Sequence, residues 1–387
     1  MSGGLNLVFL GLSVTSSWGN GHATTYRALI RALHEQGHRC SFLERDVPWY
    51  ANNRDDSSPA GCRVELYTSL ADLKLRFAQT VSAADAVIVG SYVPDGVEVG
   101  RWVTTTARGV TAFYDIDTPV TLRKLAEHDE EYISAAVVPR FDLYLSFAGG
   151  KTLEIIERRY GARRALPLYC SVDADAYRPS AAQRVYELGY LGTYSDDRQP
   201  ALDRLLLEPA RQRPEARFVV AGPSYPTSIV WPSNVQRIDH VAPRQHPAFY
   251  CSQRFTLNVT RAEMVKMGFS PSVRLFEAAA CAVPIISDRW EGMEHFFLPG
   301  REILLADKPA QVIEYLTDLA PAERALIGER ARARVLASHT AQHRARELTR
   351  YLRDTISASS LRDGTTDGPL GRAERTPRRV SASAIRE

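Results

Sequence analysis

Short apolar runs alternate with amphipathic segments along most of the chain. The run at residues 5–12 predicts a strand, and residues 22–36 predict a helix because their apolar side chains recur at helical spacing up to Gly37. Further buried strands are predicted at residues 39–44, 86–89, 110–114 and 143–147, and a helix at 152–160. Short apolar strands separated by helices indicate a parallel sheet that helices cover on both faces.

A second series of strands and helices follows a break at about residues 167–179. Its strands are predicted at residues 188–191, 218–221, 235–238, 256–259 and 284–287, and its helices at 201–207, 273–282 and 310–319. We therefore predict an α/β fold of two Rossmann-like domains, residues 1–170 and 171–338, whose parallel sheets face a cleft.

Two more helices are predicted after the second series, at residues 321–336 and 341–352. Beyond them, residues 357–387 are rich in Ser, Thr, Gly, Pro, Asp and Arg and contain few large apolar side chains. Such a segment buries too little apolar surface to offset the entropy lost on ordering, so we predict a disordered tail there.

Composition and charge exclude several classes of protein. The formal net charge is +3 over 387 residues, which gives no case for a partner that is a nucleic acid. The five cysteines are scattered without CxxC spacing, so neither a disulfide framework nor a zinc site is predicted. No apolar run is long enough to span a bilayer, and a signal-peptide pattern is absent. We expect a cytoplasmic protein without a transmembrane segment.

Two loops at the carboxyl ends of N-terminal strands carry candidate chemistry, because ligands bind at these ends in open α/β sheets. Gly19 and Gly21 let backbone amides approach a ligand at the start of a helix that begins with His22. Asp115 and Asp117 follow a later strand, and paired carboxylates bind a metal, act as a base or hold sugar hydroxyls. A flexible loop and a helix N-cap at Asp117 are the structural alternatives.

Two segments of the C-terminal half are typical of an anion site. Gly192 ends a predicted strand and permits close backbone approach, and Arg198 is placed to pair with a phosphate. Ser270 is the predicted N-cap of a helix, and Pro271 its first residue. The free amides at the start of that helix would then face a diphosphate.

Two charged side chains lie early in the same helix. Arg274 and Glu277 are three residues apart and so share one face. The helix is otherwise largely apolar, and a carboxylate buried in its early turns requires a partner, for which a ribose diol is suitable. An ion pair between Arg274 and Glu277 is the structural alternative.

Four stretches of this half resemble the CgeB-like (spore maturation protein CgeB) glycosyltransferases of the group-1 GT-B superfamily. They are LNVTR at 257–261, SPSVRLFEAAAC at 270–281, PIISD at 284–288 and WEG at 290–292. The resemblance covers residues 185–335. It implies the GT-B fold, with an N-terminal acceptor domain, a C-terminal donor domain, and a final helix at residues 339–356 that crosses back onto the first domain.

The resemblance also implies roles for single residues. Glu277 matches the glutamate that holds the nucleotide ribose, and Ser270, Ser272 and Arg274 match the phosphate-binding turn. The superfamily often has a further acidic residue in an E-x7-E pattern. An E-x7-E pattern that ends at Glu277 would begin at Phe269, so the chain departs from the superfamily there.

We therefore expect transfer of a sugar from a nucleoside-diphosphate sugar to an unknown acceptor, which is a glycan, a lipid, a protein or a small molecule. The donor is a substrate, and we predict no cofactor. Helix amides with Arg198 and Arg274 would offset the charge on the leaving diphosphate, so no metal is predicted.

The N-terminal half is expected to face the acceptor. His22 and Asp115 are candidates for contacting the acceptor or the reacting sugar, one of them as a base, while Gly19, Gly21 and Asp117 form an acceptor-side loop. A nucleotide-sugar epimerase on the same architecture and a non-catalytic nucleotide-sugar-binding protein are the alternative functions.

Overall fold

Two all-parallel sheets organise the chain in the computed structural model, which describes residues 3–363. The first sheet comprises β1 (Asn6–Gly11), β2 (Arg39–Arg45), β3 (Cys62–Tyr67), β4 (Ala86–Gly90), β5 (Val110–Asp115), β6 (Leu143–Ser146) and β7 (Ala165–Pro167). Its spatial order is β3-β2-β1-β4-β5-β6-β7. The central strands β1, β4, β5 and β6 are almost completely buried, as expected for a sheet covered on both faces.

The second sheet repeats this arrangement with six strands. It comprises β8 (Tyr186–Leu191), β9 (Phe218–Ala221), β10 (Val235–Ile238), β11 (Gln253–Asn258), β12 (Ile285–Ser287) and β13 (Leu304–Leu305), in the order β10-β9-β8-β11-β12-β13. In both sheets the strand order reverses beside the first strand, at β1 and at β8. Ligands bind outside the carboxyl ends of strands at such switch points.

Helices connect the strands and cover both sheets. They are α1 (His22–Glu35), α2 (Pro48–Ala51), α3 (Leu70–Ala83), α4 (Gly96–Thr106), α5 (Thr118–Ala126), α6 (Lys151–Tyr160), α7 (Gln199–Leu202), α8 (Glu208–Gln212), α9 (His246–Cys251), α10 (Ala262–Met267), α11 (Val273–Ala280), α12 (Pro309–Asp318), α13 (Pro321–Ser338) and α14 (Ala341–Asp363). None of the described helices is both long and apolar enough to cross a membrane.

The predicted succession of strands and helices is confirmed, with local differences. The edge strands β3 and β7 lack a long apolar run and were not predicted from the sequence. The single helix predicted at 201–207 is in fact a π-helical turn at Asp203–Leu207 that joins α7 to α8. Edge strands are exposed on one side, which weakens the apolar pattern that identifies buried strands.

The last helix returns to the first domain, as the resemblance implied. α14 packs against α1, and Thr349 Oγ1 lies 3.0 Å from Nε2 of His38, in the loop that follows α1. The hydroxyl of Tyr351 donates to the carbonyl oxygen of Pro167 at 3.1 Å. α14 extends to Asp363, so residues 357–363, assigned to the disordered tail, are helical. The rest of that predicted tail, residues 364–387, lies outside the described residues.

The two domains also contact each other directly at the rim of the cleft. The amide of Gly149 donates to the carbonyl oxygen of Phe269 at 2.9 Å. Arg123 on α5 pairs with Glu263 on α10 at 3.1 Å. These contacts hold the carboxyl ends of the two sheets face to face.

Candidate active site

Two adjoining cavities lie between the domains, at the carboxyl ends of both sheets. The smaller has a volume of about 220 Å³ and the larger about 370 Å³. Six residues line both of them, which makes one continuous cleft: Gly19, Gly21, Thr193, Arg198, Val273 and Arg274. We call the side formed by residues of the first sheet's loops the N-terminal wall, and the opposite side the C-terminal wall.

The C-terminal wall is built around the start of α11. The predicted cap was wrong by two residues, because the N-cap is Ser272 and not Ser270, and the helix begins at Val273. Ser270 is only 1% exposed and is absent from the described lining of the cleft, whereas Pro271 lines the larger cavity. Ser272 does not cap the helix, because its hydroxyl donates to Asn258 Oδ1 at 2.7 Å.

The first amides of α11 therefore lack a side-chain cap. Amides in the first turn have no acceptor within their own helix, and the helix dipole adds positive potential at this end. Ser272 and Val273 both line the larger cavity, so these donors lie at its edge. This arrangement suits a phosphate group.

Arg274 is held rigidly beside these amides. Its Nη1 donates to Asn258 Oδ1 at 2.9 Å, its Nε donates to the carbonyl oxygen of Leu191, and its guanidinium lies 4.5 Å from the ring centroid of Tyr190. The side chain is 7% exposed and lines both cavities. Because its hydrogen-bond partners are neutral, the positive charge remains available to an anion in the cleft.

Glu277 lines the smaller cavity and is 4% exposed. Its Oε2 accepts a hydrogen bond from the Tyr250 hydroxyl at 2.8 Å and lies 3.9 Å from His246 Nδ1. Burial, reinforced by the charge of Glu277, raises the pKa of Tyr250 well above its usual range, so Tyr250 remains a donor. Among the described residues, Arg274 and Glu277 form no ion pair with each other, which removes the structural alternative considered above.

Gly192 and Arg198 complete the C-terminal wall. A Cβ atom on Gly192 would lie 2.7 Å from Arg274 Nη2 and 2.6 Å from the Tyr190 hydroxyl, so only glycine fits beside the guanidinium. Nη2 of Arg198 donates to the carbonyl oxygen of Thr193 at 2.6 Å, while its Nε is buried without a protein partner. An unpaired guanidinium nitrogen at the cleft is available to a ligand oxygen.

The N-terminal wall begins with the loop between β1 and α1. Buried Glu44, at the end of β2, accepts hydrogen bonds from the amides of Val14 and Thr15 and from the hydroxyls of Ser13 and Thr15. Gly19, with φ of +62°, and Gly21 line both cavities, and a Cβ atom on either would meet nothing within 4 Å. The glycines therefore leave open space on the cleft side of an anchored loop.

His22 and Asp117 meet on this wall and line the larger cavity. Nε2 of His22 lies 3.9 Å from Asp117 Oδ2, and Nδ1 is buried without a hydrogen-bond partner. The imidazole stacks on the ring of Tyr92, whose hydroxyl donates to Asp117 Oδ2 at 2.9 Å. Burial lowers the pKa of His22; the charge of Asp117 opposes this shift and that of Arg261 adds to it.

Asp115 does not share this position, although it was a candidate for contacting the acceptor or the reacting sugar. It is fully buried and is absent from the described cleft lining. Its carboxylate accepts hydrogen bonds from the hydroxyls of Tyr144 and Thr121 and from the amide of Asp117. Burial raises the pKa of Asp115 to about 6 against these hydrogen bonds. Strand alternation would give residues 115 and 117 the same direction, but β5 ends at Asp115 and α5 begins at Thr118, so the chain turns between them. That turn leaves Asp115 in the core and Asp117 at the cleft.

Asp117 also stands at the start of α5 but does not cap it with its side chain. Its carboxylate is oriented toward Tyr92 and His22 instead. The described residues contain no group of three or more His, Cys, Asp or Glu side chains that could hold a metal ion. The independence from metals that the sequence led us to expect stays a prediction.

Comparison with known proteins identifies the architecture. Residues 198–350 match the model of a family described as glycosyl transferase-like. No curated protein matches the chain. Sucrose-phosphate synthase from Thermosynechococcus elongatus has 16% sequence identity and a TM-score of 0.66, over 91% of this chain and 100% of that one. The fold is GT-B.

Two further GT-B structures were solved with nucleotides. Anabaena HepE in complex with UDP-glucose is 13% identical, with a TM-score of 0.68 over 92% of this chain and 100% of that one. The catalytic domain of starch synthase IV from Arabidopsis thaliana, bound to ADP and acarbose, is 10% identical, with a TM-score of 0.64 over 92% and 100% of the two chains. At these identities the likeness establishes the fold.

The cleft contains residues that sequence reasoning did not single out. Arg261 follows β11, lines the larger cavity and approaches Asp117 at 4.0 Å and Asp197 at 3.8 Å, and its Nε is buried without a hydrogen-bond partner. Asn258 joins Ser272 to Arg274, and Tyr250 contacts Glu277. Asn258 and Arg261 belong to the LNVTR stretch at the end of a strand, so their position could have identified them as cleft residues.

Proposed function

We propose that this protein transfers a sugar, a hexose in the simplest case, from a nucleoside-diphosphate sugar to an acceptor that enters the cleft from the N-terminal wall. The observation that carries the proposal is the C-terminal wall, where the uncapped start of α11 and Arg274 border both cavities and buried Glu277 lines the smaller one. A diphosphate would bind beside the amides and Arg274, and a ribose would bind at Glu277.

The charge distribution supports transfer over simple binding. In glycosyl transfer the bond between the anomeric carbon and the diphosphate oxygen breaks, and negative charge accumulates on the leaving diphosphate. Groups oriented in advance toward that charge stabilise the transition state more than the ground state. Arg274, Arg198 and the α11 amides have this orientation, and we propose that they make a metal and a cofactor unnecessary.

The fold and the family match support the same proposal. HepE and starch synthase IV, which share the GT-B fold, were solved with UDP-glucose and with ADP. We propose that the present chain also uses a nucleoside-diphosphate sugar as its donor. The finer assignment to the CgeB-like group rests on the motif at residues 257–292 and is part of the proposal.

A panel of UDP-, ADP-, GDP- and dTDP-hexoses tests the proposal. Each is incubated with the protein, with water or a mixture of candidate acceptors present, and release of nucleoside diphosphate is measured together with the fate of the sugar. A transferase releases nucleoside diphosphate and delivers the sugar to an acceptor or, more slowly, to water. An epimerase would convert the sugar while it stays on the nucleotide, and a binding protein would retain the donor without turnover. Either of the last two results would contradict the proposal.

A further inference from the structure

A residue of the linker between the two sheets contacts the smaller cavity's polar groups. Tyr177 lies between β7 and β8, at the end of a turn. Its side chain is 5% exposed, and its hydroxyl oxygen lies 3.0 Å from Nδ1 of His246. His246 in turn lies 3.9 Å from Oε2 of Glu277, the carboxylate proposed to hold the ribose. The linker therefore reaches the proposed donor site through this tyrosine.

We propose that Tyr177 is a positioning residue for the donor ribose: its hydroxyl fixes His246 beside Glu277, and the turn that carries it connects this site to the first domain. The connection is an ion pair between Asp173, at the start of the turn, and Arg31 on α1. This inference deepens the proposed function and rests on it, because it takes a ribose at Glu277 as given.

The hydrogen bonds around His246 define which atoms donate. Nε2 lies 3.1 Å from the carbonyl oxygen of Val241, which can only accept, so Nε2 carries a hydrogen. In the neutral ring Nδ1 is then an acceptor, and the Tyr177 hydroxyl donates to it. Burial, reinforced by the charge of Glu277, raises the pKa of Tyr177 well above its usual range, so the hydroxyl keeps its hydrogen. The imidazole is therefore held at both nitrogens.

The contacts of Glu277 leave one carboxylate oxygen for a ligand. Tyr250 donates to Oε2 at 2.8 Å, and His246 faces the same oxygen. Among the described residues, Oε1 accepts no side-chain hydrogen bond, and Glu277 lines the smaller cavity. Tyr250 and His246 both belong to α9, which begins at His246. The direction of Oε1 thus depends on the position of α9, whose first residue Tyr177 holds.

A compact turn places Tyr177. Oδ1 of Asp173 accepts hydrogen bonds from the amides of Asp175 at 3.0 Å and Ala176 at 3.2 Å. The amide of Tyr177 donates to the carbonyl oxygen of Asp173 at 2.9 Å. Aspartate side chains that bind the following amides in this way stabilise turns. The position of Tyr177 therefore depends on Asp173.

Asp173 also connects the turn to the first domain. Its Oδ1 lies 2.5 Å from Nη2 of Arg31 on α1, and its side chain is 14% exposed. A cavity of about 230 Å³ lies beside this pair, with Pro243 and Arg244 of the second domain in its lining together with Arg31, Asp173 and Tyr177. The turn spans this gap between α1 and the segment that leads into α9. A displacement of α1 relative to the second domain can therefore reach His246 through the turn.

Tyr177→Phe tests the positioning role, because it removes the hydroxyl and keeps the ring. The probe is whichever of UDP, ADP and GDP binds the parent protein most tightly, titrated beside its 2′,3′-dideoxy form, which lacks the ribose diol. Loss of a hydrogen bond between neutral groups should lower the affinity for the ribonucleotide by about three- to tenfold. The affinity for the dideoxy form should not change, because that ligand offers Glu277 no hydroxyl.

The two ligands together separate positioning from general support of the fold. A structural role would lower both affinities by the same factor, and that result, or no loss for either ligand, would overturn the proposal. Tyr315→Phe is the matched control, because the Tyr315 hydroxyl donates to the carbonyl oxygen of Leu305 at 3.1 Å, outside the described cleft lining. It should bind both ligands as the parent protein does.

Turnover gives an independent measurement of the same role. Tyr177 is absent from the described lining of both cleft cavities, and the proposal assigns it no contact with the reacting sugar. With the best donor of the panel, Tyr177→Phe should therefore raise KM by about the factor lost in affinity and leave kcat nearly unchanged. An equal fall in kcat with KM unchanged would contradict a role in positioning the ribose.

Asp173→Asn tests the connection to the first domain. Asparagine keeps an oxygen for the amides of the turn but removes the charge that faces Arg31, so the affinity for the ribonucleotide should fall about two- to threefold. The double variant with Tyr177→Phe should bind no more weakly than Tyr177→Phe alone, because both changes act on one contact. Asp175→Asn is the matched control, because Asp175 is 79% exposed and lies 3.6 Å from the same arginine.

Further outcomes locate a failure. If Asp173→Asn binds like the parent protein, or if the double variant loses the product of the two single factors, the connection through the turn is wrong. If the parent protein binds nucleoside diphosphate and Tyr177→Phe binds it equally well, the positioning role is wrong and the proposed function stands. If no nucleoside diphosphate of the panel binds the parent protein, the proposed function is wrong, and this inference with it.

Discussion

The two walls of the cleft handle charge in opposite ways. The C-terminal wall presents Arg198, Arg274 and uncapped helix amides, held by neutral partners such as Asn258 and the Leu191 carbonyl. The N-terminal wall presents an imidazole and a carboxylate near each other, with Arg261 reaching across from the second domain. The first arrangement suits a group that becomes more negative during a reaction, and the second suits a group that gives up a proton.

A second contrast, in burial, separates two aspartates that are two residues apart at the N-terminal side of the cleft. Asp115 is fully buried and accepts hydrogen bonds from Tyr144 and Thr121, whereas Asp117 reaches the cleft beside His22. Asp115 thus contributes to the core beneath the site, and Asp117 to the surface that meets a ligand. The comparison teaches that one member of this Asp-x-Asp pair lines the cleft and the other packs in the core.

The largest expected effect concerns stability and the buried member of this pair. Burial raises the pKa of Asp115 to about 6, above its value of about 3.9 in the unfolded chain. The stabilisation linked to its protonation is therefore complete below the unfolded-state value and is lost as pH rises through about 6. Asp115→Asn should remove up to about 3 kcal/mol of the decline in unfolding free energy between pH 4 and 7.

Chemical denaturation at pH 4, 5, 6 and 7 measures this decline. Asp117→Asn is the matched control, because its side chain lies in the cleft. Its charge makes only a minor contribution to the raised pKa of Asp115, so this variant should keep most of the slope of the parent protein. Equal slopes in the parent protein and both variants would show that the two aspartates do not differ in the way described.

The next effect concerns donor affinity and the C-terminal wall. Glu277→Gln keeps the shape of the side chain and an oxygen to accept from Tyr250, but removes the charge. A hydrogen bond to a charged acceptor contributes about 1.5–3 kcal/mol, so affinity for the bound nucleoside diphosphate should fall about ten- to a hundredfold.

Calorimetric titration with UDP, ADP, GDP and dTDP measures that affinity, alongside a thermal melting curve. Glu314→Gln, on the exposed side of α12, is the control and should bind as the parent does. If Glu277→Gln binds every nucleotide of the panel as tightly as the parent protein, Glu277 does not hold the ribose, and the main support for the donor site is lost.

A smaller effect is expected from crowding the anion site. Gly192→Ala adds a methyl group that would lie 2.7 Å from Arg274 Nη2, so the guanidinium must shift. We expect affinity for nucleoside diphosphate to fall about tenfold, equivalent to about 1.4 kcal/mol, while binding of the free nucleoside changes little. Gly3→Ala, at a position with nothing within 4 Å of the added carbon, is the control. If the affinities for nucleoside and for nucleoside diphosphate fell equally, the substitution would not act through Arg274.

The last prediction is that removal of divalent metal ions has no effect on turnover. If Arg198, Arg274 and the α11 amides supply the positive potential, excess EDTA should leave turnover of the best donor unchanged, because no divalent ion takes part. Loss of activity in chelator, restored by Mn²⁺, would mean that a metal completes the site and that the contrast between the two walls is incomplete.

Much of the architecture could be predicted from the sequence. The apolar runs of strands such as β1, β4 and β5 are buried on both faces of the sheet. These runs could therefore be predicted as strands without knowledge of the strands beside them. The edge strands β3 and β7 escaped prediction because half-exposed strands carry no continuous apolar run. The end of α14 was not predicted, because residues 357–363 have a polar composition that does not by itself specify a helix.

The sequence by itself determined that glycines, arginines and acidic residues stand at the ends of parallel strands, and so which loops form the cleft. Only the tertiary structure decided which of them meet. It separated Arg274 from Glu277, placed Asp115 in the core, and brought Asp117 to His22 and Arg261. The physical reason is that helix periodicity and strand alternation are local, whereas the distance between side chains on two domains depends on how both sheets pack around the cleft.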